Sequence, residues 1–390
     1  MNAGLHICVL TQQLARVLSG PGLHARNLIN HLLADGHRVS VIAPESECPP
    51  GELPYRFVGT PSPLLKSQAR WVPLALYFGR ALARLAQWER FDIVHFTDAR
   101  ESLMCPANLI SVGNINDTYA AELQPLRYYR AYYADWMARW TYYRVVRSVE
   151  RIALRRLHAV VANSDYTANI IRKRYGIPDR RLHVCHKSVE ATRFAPALEM
   201  RAQVEPHPPR VLFVGGNMQR KGLPTLIEAA SHIIRTMPNA EFWVAGHDAA
   251  QPKMEALCHR HGVRAAFRFL GLQSQDELPK LYAQCDVFAM PSLIEAFGVV
   301  FLEAMAAGLP VVGTCVGGIT EIVRDDENGL LVQPNDAPAL ASAIARLLTD
   351  DELRQRLARA GVVTAHSFSV ERMMTCTYDV YRAALACTAS

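Results

Sequence analysis

The stretch CDVFAMPSLIEAFGVVFLEAMAAGLPVVGT, residues 285–314, decides the fold of the second half of the chain. The apolar run before Pro291 predicts a buried strand, the run after Gly298 predicts a helix, and LPVVGT predicts a further strand. A strand, a Gly-bearing loop and a helix N-terminus form an anion site, because N–H groups and the positive end of the helix dipole point outward there. The stretch therefore predicts that this loop binds phosphate groups.

Two glutamates flank the predicted start of that helix. Glu295 precedes it and Glu303 is predicted about two turns into it, so at about 1.5 Å rise per residue their carboxylates lie on the order of 10 Å apart. The plain alternative for such a pair is the solvated face of a helix. The spacing suits a ligand that carries a hydroxyl-rich group on each side of a diphosphate, which describes a nucleotide sugar.

Apolar strands alternate with amphipathic helices through both halves of the chain. Predicted strands in the first half are LHICVLT, HRVSVIAP, FDIVHFTD, NLISVG and HAVVANS, and those in the second are RVLFVGG, AEFWVAG, AFRFLG, CDVFAMPS, LPVVGT and GLLVQP. Near-continuous apolar strands are typical of parallel sheets covered on both faces. The pattern predicts two doubly wound α/β domains with ligands at the carboxyl ends of the strands.

The domain boundaries follow from the same pattern. We expect an N-terminal Rossmann-like domain over residues 1–194 and a proline-bearing linker over 195–209. A second Rossmann-like domain is predicted over 210–365. Residues 366–390 are predicted to form a C-terminal helix that can cross back to the first domain.

Composition indicates an ordinary globular protein of 390 residues, of which 50% are hydrophobic and 20% charged. Residues 1–195 hold 25 Lys and Arg against 15 Asp and Glu, and residues 196–390 hold 17 against 21. No apolar run reaches about 18 residues, and the first residues lack a basic region with a cleavage site. The sequence therefore predicts a cytoplasmic protein without a membrane span.

The cysteines show no C-x-x-C pair and no metal-ligand spacing with histidine. We therefore expect reduced, mostly buried thiols and no metal site. The nine positions are Cys8, Cys48, Cys105, Cys185, Cys258, Cys285, Cys315, Cys376 and Cys387.

From Arg210 to Gly361 the chain resembles the donor-binding domain of the family 4 retaining glycosyltransferases, which have the GT-B architecture of two Rossmann-like domains facing across a cleft. The resemblance is carried by VLFVGGNMQRKGLPTLIEA, FWVAG, RFLGL, the stretch from LYAQCDVFAMPS to GGITEIV, and NGLLVQPND. A looser match in the first half is carried by GPGLHARNLINHLLADGHRVSVIAP, FDIVHF and VVANSDYTANIIRKRYGIP.

The resemblance implies a role for each member of the glutamate pair. Glu295 is expected to contact the donor hexose and Glu303 the ribose hydroxyls. The backbone of residues 297–299 is expected to lie against the sugar and the diphosphate. These three residues are Phe297, Gly298 and Val299.

Two adjacent cations follow the first strand of the second domain. After Gly215 and Gly216, Arg220 and Lys221 can clamp a diphosphate and stabilise charge on the departing nucleotide; a solvated basic turn is the alternative. The family commonly carries an arginine where this chain has Gly216, and Arg220 can substitute for it.

The base of the nucleotide is expected near Gly271-Leu272, with UDP favoured by family frequency. The resemblance implies no cofactor and no metal.

The first domain is expected to bind the acceptor. Gly20 and Gly22 predict a loop that approaches phosphates closely or a plain turn. His95 either faces the cleft or is packed. The family usually has a histidine where this chain has Asn116, followed by Asp117, and asparagine cannot carry a proton.

Residues 123–157 hold eight Arg and eight Tyr or Trp against two acidic residues. Three interpretations stay open: a helix packed on its own domain, a helix on an anionic membrane surface, and a subunit or acceptor interface. No nucleic-acid-binding module accompanies the stretch. The aromatic stripe comprises Tyr129, Tyr132, Tyr133, Trp136, Trp140 and Tyr143.

The sequence thus predicts a retaining, metal-independent glycosyltransferase that moves a sugar from a nucleoside diphosphate to a hydroxyl acceptor. The acceptor is expected to be a cell-envelope lipid, a polysaccharide or a small glycoside. Two alternatives are another GT-B enzyme, such as an epimerase or phosphorylase, and a protein that binds nucleotide sugar without transferring it.

Overall fold

The computed structural model describes residues 4–15, 20–62, 71–122, 136–201, 203 and 205–387. The chain divides into two compact units. Unit 1 comprises Met1–Lys187 and Glu371–Ser390, and unit 2 comprises Ser188–Val370. The boundary between them precedes the expected linker, and part of that linker, Ala195–Arg201, is helical.

Unit 1 contains a seven-stranded parallel sheet in the order β3-β2-β1-β4-β5-β6-β7. Its strands are β1 His6–Leu10, β2 Arg38–Pro44, β3 Arg56–Thr60, β4 Ile93–Phe96, β5 Ser111–Ile115, β6 Ala159–Ala162 and β7 Leu182–Val184. Every residue of β1, β4, β5 and β6 is buried, as expected of strands covered on both faces.

Unit 2 contains a six-stranded parallel sheet in the order β10-β9-β8-β11-β12-β13. Its strands are β8 Arg210–Val214, β9 Glu241–Ala245, β10 Phe267–Gly271, β11 Val287–Ala289, β12 Val311–Thr314 and β13 Leu330–Val332. The order reverses between β8 and β11, and in open α/β sheets ligands bind beside such a reversal. The prediction of two Rossmann-like parallel-sheet domains is confirmed.

Helices connect the strands of both sheets. In chain order they are α1 Gly20–Ala34, α2 Trp71–Leu85, α3 Tyr119–Glu122, α4 Trp136–Arg156, α5 Asp165–Tyr175, α6 Ala195–Arg201, α7 Leu223–Ile233, α8 Gln251–Arg260, α9 Leu278–Ala283, α10 Val299–Ala306, α11 Ile319–Ile322, α12 Ala337–Thr349, α13 Asp351–Ser367 and α14 Val370–Ala386.

Local chemistry explains several helix ends. The side chain of Asp336 accepts a hydrogen bond from the Ala339 N–H at the start of α12, and Asp350 does the same for Leu353 at the start of α13. Helix α5 begins after the capping hydroxyl of Ser164. Such caps can be predicted from a sequence, because an Asp or Ser stands directly before a stretch with the apolar spacing of a helix.

The structure contains two strands that the sequence analysis did not predict, β3 and β7. They form the two edges of the unit 1 sheet. β3 is only partly buried, and β7 has three residues. Neither has the continuous run of buried apolar residues that marks a strand covered on both faces, so the signal of these two strands in the sequence is weak.

The expectation of nine reduced thiols is wrong for two of them. Cys185, directly after β7, forms a disulfide with Cys376 in α14, and both residues belong to unit 1. Their Cα atoms are 5.9 Å apart, within the range that a disulfide spans. Because 191 positions separate them, spacing in the sequence could not pair them. The bond fastens the C-terminal helix to the sheet of unit 1.

We expect thiol labelling of the denatured, unreduced protein to titrate the seven cysteines that the structure shows free, and nine after reduction. Cys376→Ser is expected to lower the free energy of unfolding by about 2–5 kcal/mol, because the bond restricts the unfolded chain. Urea denaturation measures the change. The control is Cys387→Ser, which replaces an exposed free thiol. Nine titratable thiols without reductant would contradict the disulfide.

Candidate active site

Two loops meet at the carboxyl ends of β8 and β11, which are neighbours in the sheet of unit 2. The first loop, residues 215–222, contains the Gly-Gly pair and the two cations. The second, residues 290–298, contains Glu295. Both lie where the strand order of the sheet reverses. This topology brings together Lys221 and Glu295, which are separated by 74 positions in the sequence.

Gly222 holds the two loops against each other. Its φ is +79°, and a Cβ built on it would lie 1.8 Å from the carbonyl oxygen of Pro291. Beside it, the Leu293 N–H donates to the carbonyl oxygen of Arg220 at 2.8 Å. Only glycine permits this approach, because any side chain would overlap the backbone of the second loop. Gly222 was not among the site residues predicted from the sequence.

Lys221 spans the gap between the loops. Its aliphatic stem lies against Gly215, where an added Cβ would be 2.5 Å from Lys221 Cδ. Its Nζ donates to Glu295 Oε2 at 3.3 Å and lies 3.5 Å from Met290 Sδ. The side chains of Lys221 and Glu295 are only 15% and 10% exposed. A pair with so little water around it attracts more strongly than a surface pair.

The backbone of Glu295 is fixed by a third segment. Its carbonyl oxygen accepts a hydrogen bond of 3.0 Å from the Gly318 N–H. A Cβ on Gly318 would overlap Ala296, so this segment also depends on close backbone packing. Helix α10 then begins after Gly298, which has φ +99°. Glu295 is thereby held directly before a helix N-terminus, as the sequence predicted.

Glu303 is the fifth residue of α10, a little over one turn from its start, so the expectation of two turns is wrong. The side chain is buried and accepts a hydrogen bond of 3.0 Å from the Tyr282 hydroxyl. Burial raises the pKa of the Glu303 carboxyl, and the charges of Arg193 and Lys221 oppose that rise. One carboxylate oxygen is thus oriented by Tyr282.

Arg193 and Tyr282 were not identified from the sequence. Arg193 Nη2 donates to the backbone and side-chain oxygens of Gln275, each at 2.7 Å, and this holds the guanidinium in place. Arg193 lies in the stretch ATRF before the expected linker, and Tyr282 lies in LYAQCD. Neither position carries a local signal, because their roles arise from tertiary packing around Glu303.

Three glycines lie side by side at the carboxyl ends of β8, β9 and β10. The Gly215 N–H donates to the Ala245 carbonyl, and the Gly246 N–H donates to the Gly271 carbonyl, each at 2.8 Å. Leu272, beside Gly271, is 59% exposed. Gly215 and Gly271 therefore lie at the same end of the sheet, where the strands have their carboxyl ends. The donor-binding roles expected for them stay predictions.

The prediction of a glycine loop in unit 1 is wrong. Gly20 and Gly22 lie in the first turn of α1, with Pro21 between them. Proline is tolerated in a first helical turn because its missing N–H has no partner there in any case. The pattern Gly-Pro-Gly therefore marks a helix start here, so neither the loop close to phosphates nor the plain turn predicted for it is correct.

His95 is buried in β4 and packs within unit 1. Its Nδ1 lies 2.6 Å from the Tyr381 hydroxyl of α14, and the two rings meet edge to face. Burial lowers the pKa of His95 to about 4, so the ring is neutral at physiological pH. This environment is that of a packed histidine that secures α14.

Asn116 and Asp117 are held by neighbours in unit 1. Asn116 Nδ2 donates to the Thr97 carbonyl at 3.1 Å, and Asp117 Oδ1 lies 3.6 Å from Arg100 Nη2. Asn116 also lines a small pocket with Asn114 and Asn163. The pocket shows that the carboxyl ends of β5 and β6 carry amide side chains.

Part of the aromatic stripe lies in α4. Tyr143 is buried and packs with Val146, Trp71 and Tyr119, so this part of the stripe faces the interior of unit 1. Tyr129, Tyr132 and Tyr133 lie outside the described residues, as does the side chain of Trp136. Among the helices that are described, none has the length and apolarity to cross a membrane.

Comparisons with known proteins agree with this fold. A family model described as Glycosyl transferases group 1 matches residues 198–362, and one described as Glycosyltransferase Family 4 matches residues 18–193. An uncharacterized glycosyltransferase of Methanocaldococcus jannaschii is 27% identical over 387 residues, covering 95% of this chain and 96% of that protein.

Solved structures show the same architecture. Sucrose-phosphate synthase from Thermosynechococcus elongatus has a TM-score of 0.83 and 22% identity, over 98% of this chain and 100% of that one. HepE of Anabaena in complex with UDP-glucose has a TM-score of 0.71 and 19% identity, over 97% and 98%. With both family models matched in succession along one chain, the protein belongs to the family 4 glycosyltransferases of GT-B architecture and is a sugar-transferring enzyme.

Proposed function

We propose that the enzyme transfers a hexose from a UDP-sugar to a hydroxyl acceptor with retention of anomeric configuration. The observation that carries the proposal is the partly buried Lys221–Glu295 pair, which joins two loops beside the reversal of strand order. A fixed cation and a fixed carboxylate at that place suit a ligand with a diphosphate next to a sugar. The solved complex of HepE with UDP-glucose supports the choice of nucleotide.

Each side chain has a distinct proposed task. Lys221 and Arg220 hold the diphosphate and stabilise the negative charge that grows on the leaving nucleotide. The N-terminus of α10 adds its dipole to that charge. Glu295 accepts hydrogen bonds from sugar hydroxyls, and Glu303, oriented by Tyr282, accepts them from the ribose. The base lies beside Gly271-Leu272.

The proposed reaction needs no protein nucleophile. The bond between the sugar C1 and the β-phosphate oxygen breaks, and a bond from C1 to the acceptor oxygen forms on the same face. The acceptor proton passes to an oxygen of the departing phosphate, so UDP leaves with that proton. The residues of unit 2 act by positioning and charge stabilisation. We propose that Lys221 and Arg220 supply the positive charge without a metal.

Unit 1 is proposed to bind the acceptor, which we infer to be a cell-envelope lipid, a polysaccharide or a small glycoside. The carboxyl ends of β5 and β6 offer Asn116 and its neighbours as hydrogen-bonding groups for hydroxyls. Because His95 is buried against Tyr381, this chain relies on amides at that edge of the sheet. Donor binding without turnover is the competing proposal, and the amide at Asn116 is what favours it.

Glu295→Gln is expected to lower kcat by about a hundredfold, because it removes the charge that orients the sugar. The affinity for UDP alone should stay within about threefold of wild type, since Glu295 is proposed to contact the hexose. Calorimetry with UDP, ADP and GDP measures binding, and proton NMR of the product measures turnover and anomeric configuration. The control is Glu277→Gln, an exposed glutamate of unit 2.

Three outcomes would contradict parts of the proposal. An inverted product would overturn retention. A loss of UDP affinity as large as the loss of turnover would overturn the assignment of Glu295 to the sugar. UDP-sugar binding by the wild type with no transfer to any acceptor, and no hydrolysis, would favour the non-catalytic alternative.

A further inference from the structure

Two helices of unit 1, α2 and α4, lie on the same face of its sheet. Both contact the 3-10 helix Ala99–Met104. Their inward side chains also belong to one hydrophobic cluster, to which α2 contributes Phe78 and α4 contributes Leu154. The opposite faces of these helices therefore form the outer surface on this side of unit 1.

The outer face of α2 combines apolar and basic side chains. Val72, Leu76, Arg80 and Arg84 follow one another at intervals of four residues, and all four are exposed. Residues four apart lie on one helix face. An exposed row that begins with two large aliphatic residues is unusual for a helix whose other face is already buried.

The outer face of α4 has the same composition. Met137, Val145 and Ile152 are 62%, 60% and 54% exposed. Arg144 and Arg151 are exposed beside the last two. The aromatic Tyr143 lies on the buried side, so the outward surface depends on these aliphatic and arginine residues. We call the outward residues of both helices the α2–α4 face.

The charge on the α2–α4 face has one sign. Helix α2 contains two arginines and no acidic residue, and α4 contains six arginines and one acidic residue, Glu150. Glu150 is 0% exposed and accepts hydrogen bonds from the Tyr119 N–H and the Tyr175 hydroxyl. It therefore points into unit 1, and no carboxylate from either helix balances the arginines at the surface.

We propose that the α2–α4 face docks the enzyme on an anionic membrane surface. Arginines attract phosphate headgroups, and their aliphatic stems can lie along the apolar boundary of the bilayer. Met137, Val145 and Ile152 enter that boundary, as the apolar side of an interfacial helix does. A polyanion without an apolar layer would contact only the arginines and leave these three side chains in water. The inference does not depend on the proposed donor chemistry.

The test is sedimentation of the full-length protein with vesicles of phosphatidylcholine and phosphatidylglycerol in equal parts. Wild type is expected to sediment at low salt and to be released by high salt. The triple variant R80E/R144E/R151E should bind about a hundredfold more weakly or worse, since each basic residue near the surface contributes about a fivefold factor. V145S should weaken binding by about fivefold, because it removes apolar contact.

Matched controls come from unit 2. R235E/R260E/R359E changes the net charge equally at exposed positions, and V363S repeats the valine substitution at a site that is 72% exposed. Both controls should bind vesicles within about twofold of wild type, since neither touches the α2–α4 face. All variants should keep wild-type thermal unfolding and donor hydrolysis, which separates this test from that of the proposed chemistry.

Several results would overturn the proposal. These are no sedimentation of wild type at low salt, equal binding to vesicles of phosphatidylcholine alone, and an equal loss of binding in the unit 2 control. A concentration-dependent dimer that R80E/R144E/R151E dissociates, without vesicle binding by wild type, would instead identify the face as a subunit interface.

Discussion

Replacing Lys221 by alanine is expected to lower kcat/KM for the UDP-sugar by about 10²–10³, the loss typical when one fixed group that stabilises transition-state charge is removed. Lys221 Nζ is held 3.3 Å from Glu295 Oε2 and close to Gly215. The variant therefore removes a positive charge that is already in position to stabilise the negative charge on the departing nucleotide. Steady-state kinetics with a series of donor concentrations measures the effect.

The alanine variant also removes packing, so a second substitution is needed. Lys221→Met keeps an unbranched stem against Gly215 but carries no charge. We expect the same kinetic loss from it, with a smaller change in melting temperature than Lys221→Ala produces. The surface control is Lys280→Ala in α9, where the side chain is 57% exposed. Wild-type kcat/KM in Lys221→Met would refute the role given to the charge.

The second large effect is expected from Gly222→Ala. An added Cβ would overlap the Pro291 carbonyl oxygen, and the residue would keep a left-handed backbone at φ +79°. The left-handed conformation alone costs about 1–2 kcal/mol in a residue with a Cβ. Separation of the two loops should bring the loss of unfolding free energy above about 4 kcal/mol. Urea denaturation measures it, and UDP binding should be lost as well.

Gly262→Ala is the matched control for Gly222→Ala. Gly262 also lies in unit 2 and has φ +70°, but an added Cβ would meet nothing within 4 Å. We expect this variant to lose only the backbone contribution of about 1–2 kcal/mol and to bind UDP normally. Equal destabilisation of both variants would show that the approach of Pro291 to Gly222 is unimportant.

Much of the fold could be predicted from the sequence, because parallel strands that are buried on both faces consist of nearly continuous apolar runs. All six strands of unit 2 coincide with predicted apolar runs. The two missed strands, β3 and β7, are edge strands that are only partly buried, so they lack the continuous apolar run by which the other strands were predicted. The start of α1 was missed for a different reason, since Gly-Pro-Gly is compatible with both a loop and a first helical turn.

The site was predictable where one segment carries the chemistry. Glu295, Gly298 and the helix after them form a local motif, and the structure keeps them together. Contacts between distant segments were not predictable. Three contacts of this kind are the Lys221–Glu295 pair, the hydrogen bond from Tyr282 to Glu303 and the disulfide. No local sequence pattern around these residues indicates which partner each of them has.

The disulfide has a further consequence for the covalent structure. The chain leaves unit 1 after Lys187 and returns at Glu371, and Cys185 and Cys376 stand close to those two crossing points. The whole of unit 2 is therefore one closed ring of polypeptide attached to unit 1. A single protease cut anywhere inside that ring would leave one molecule of unchanged mass on a denaturing gel, and two fragments would separate only after reduction.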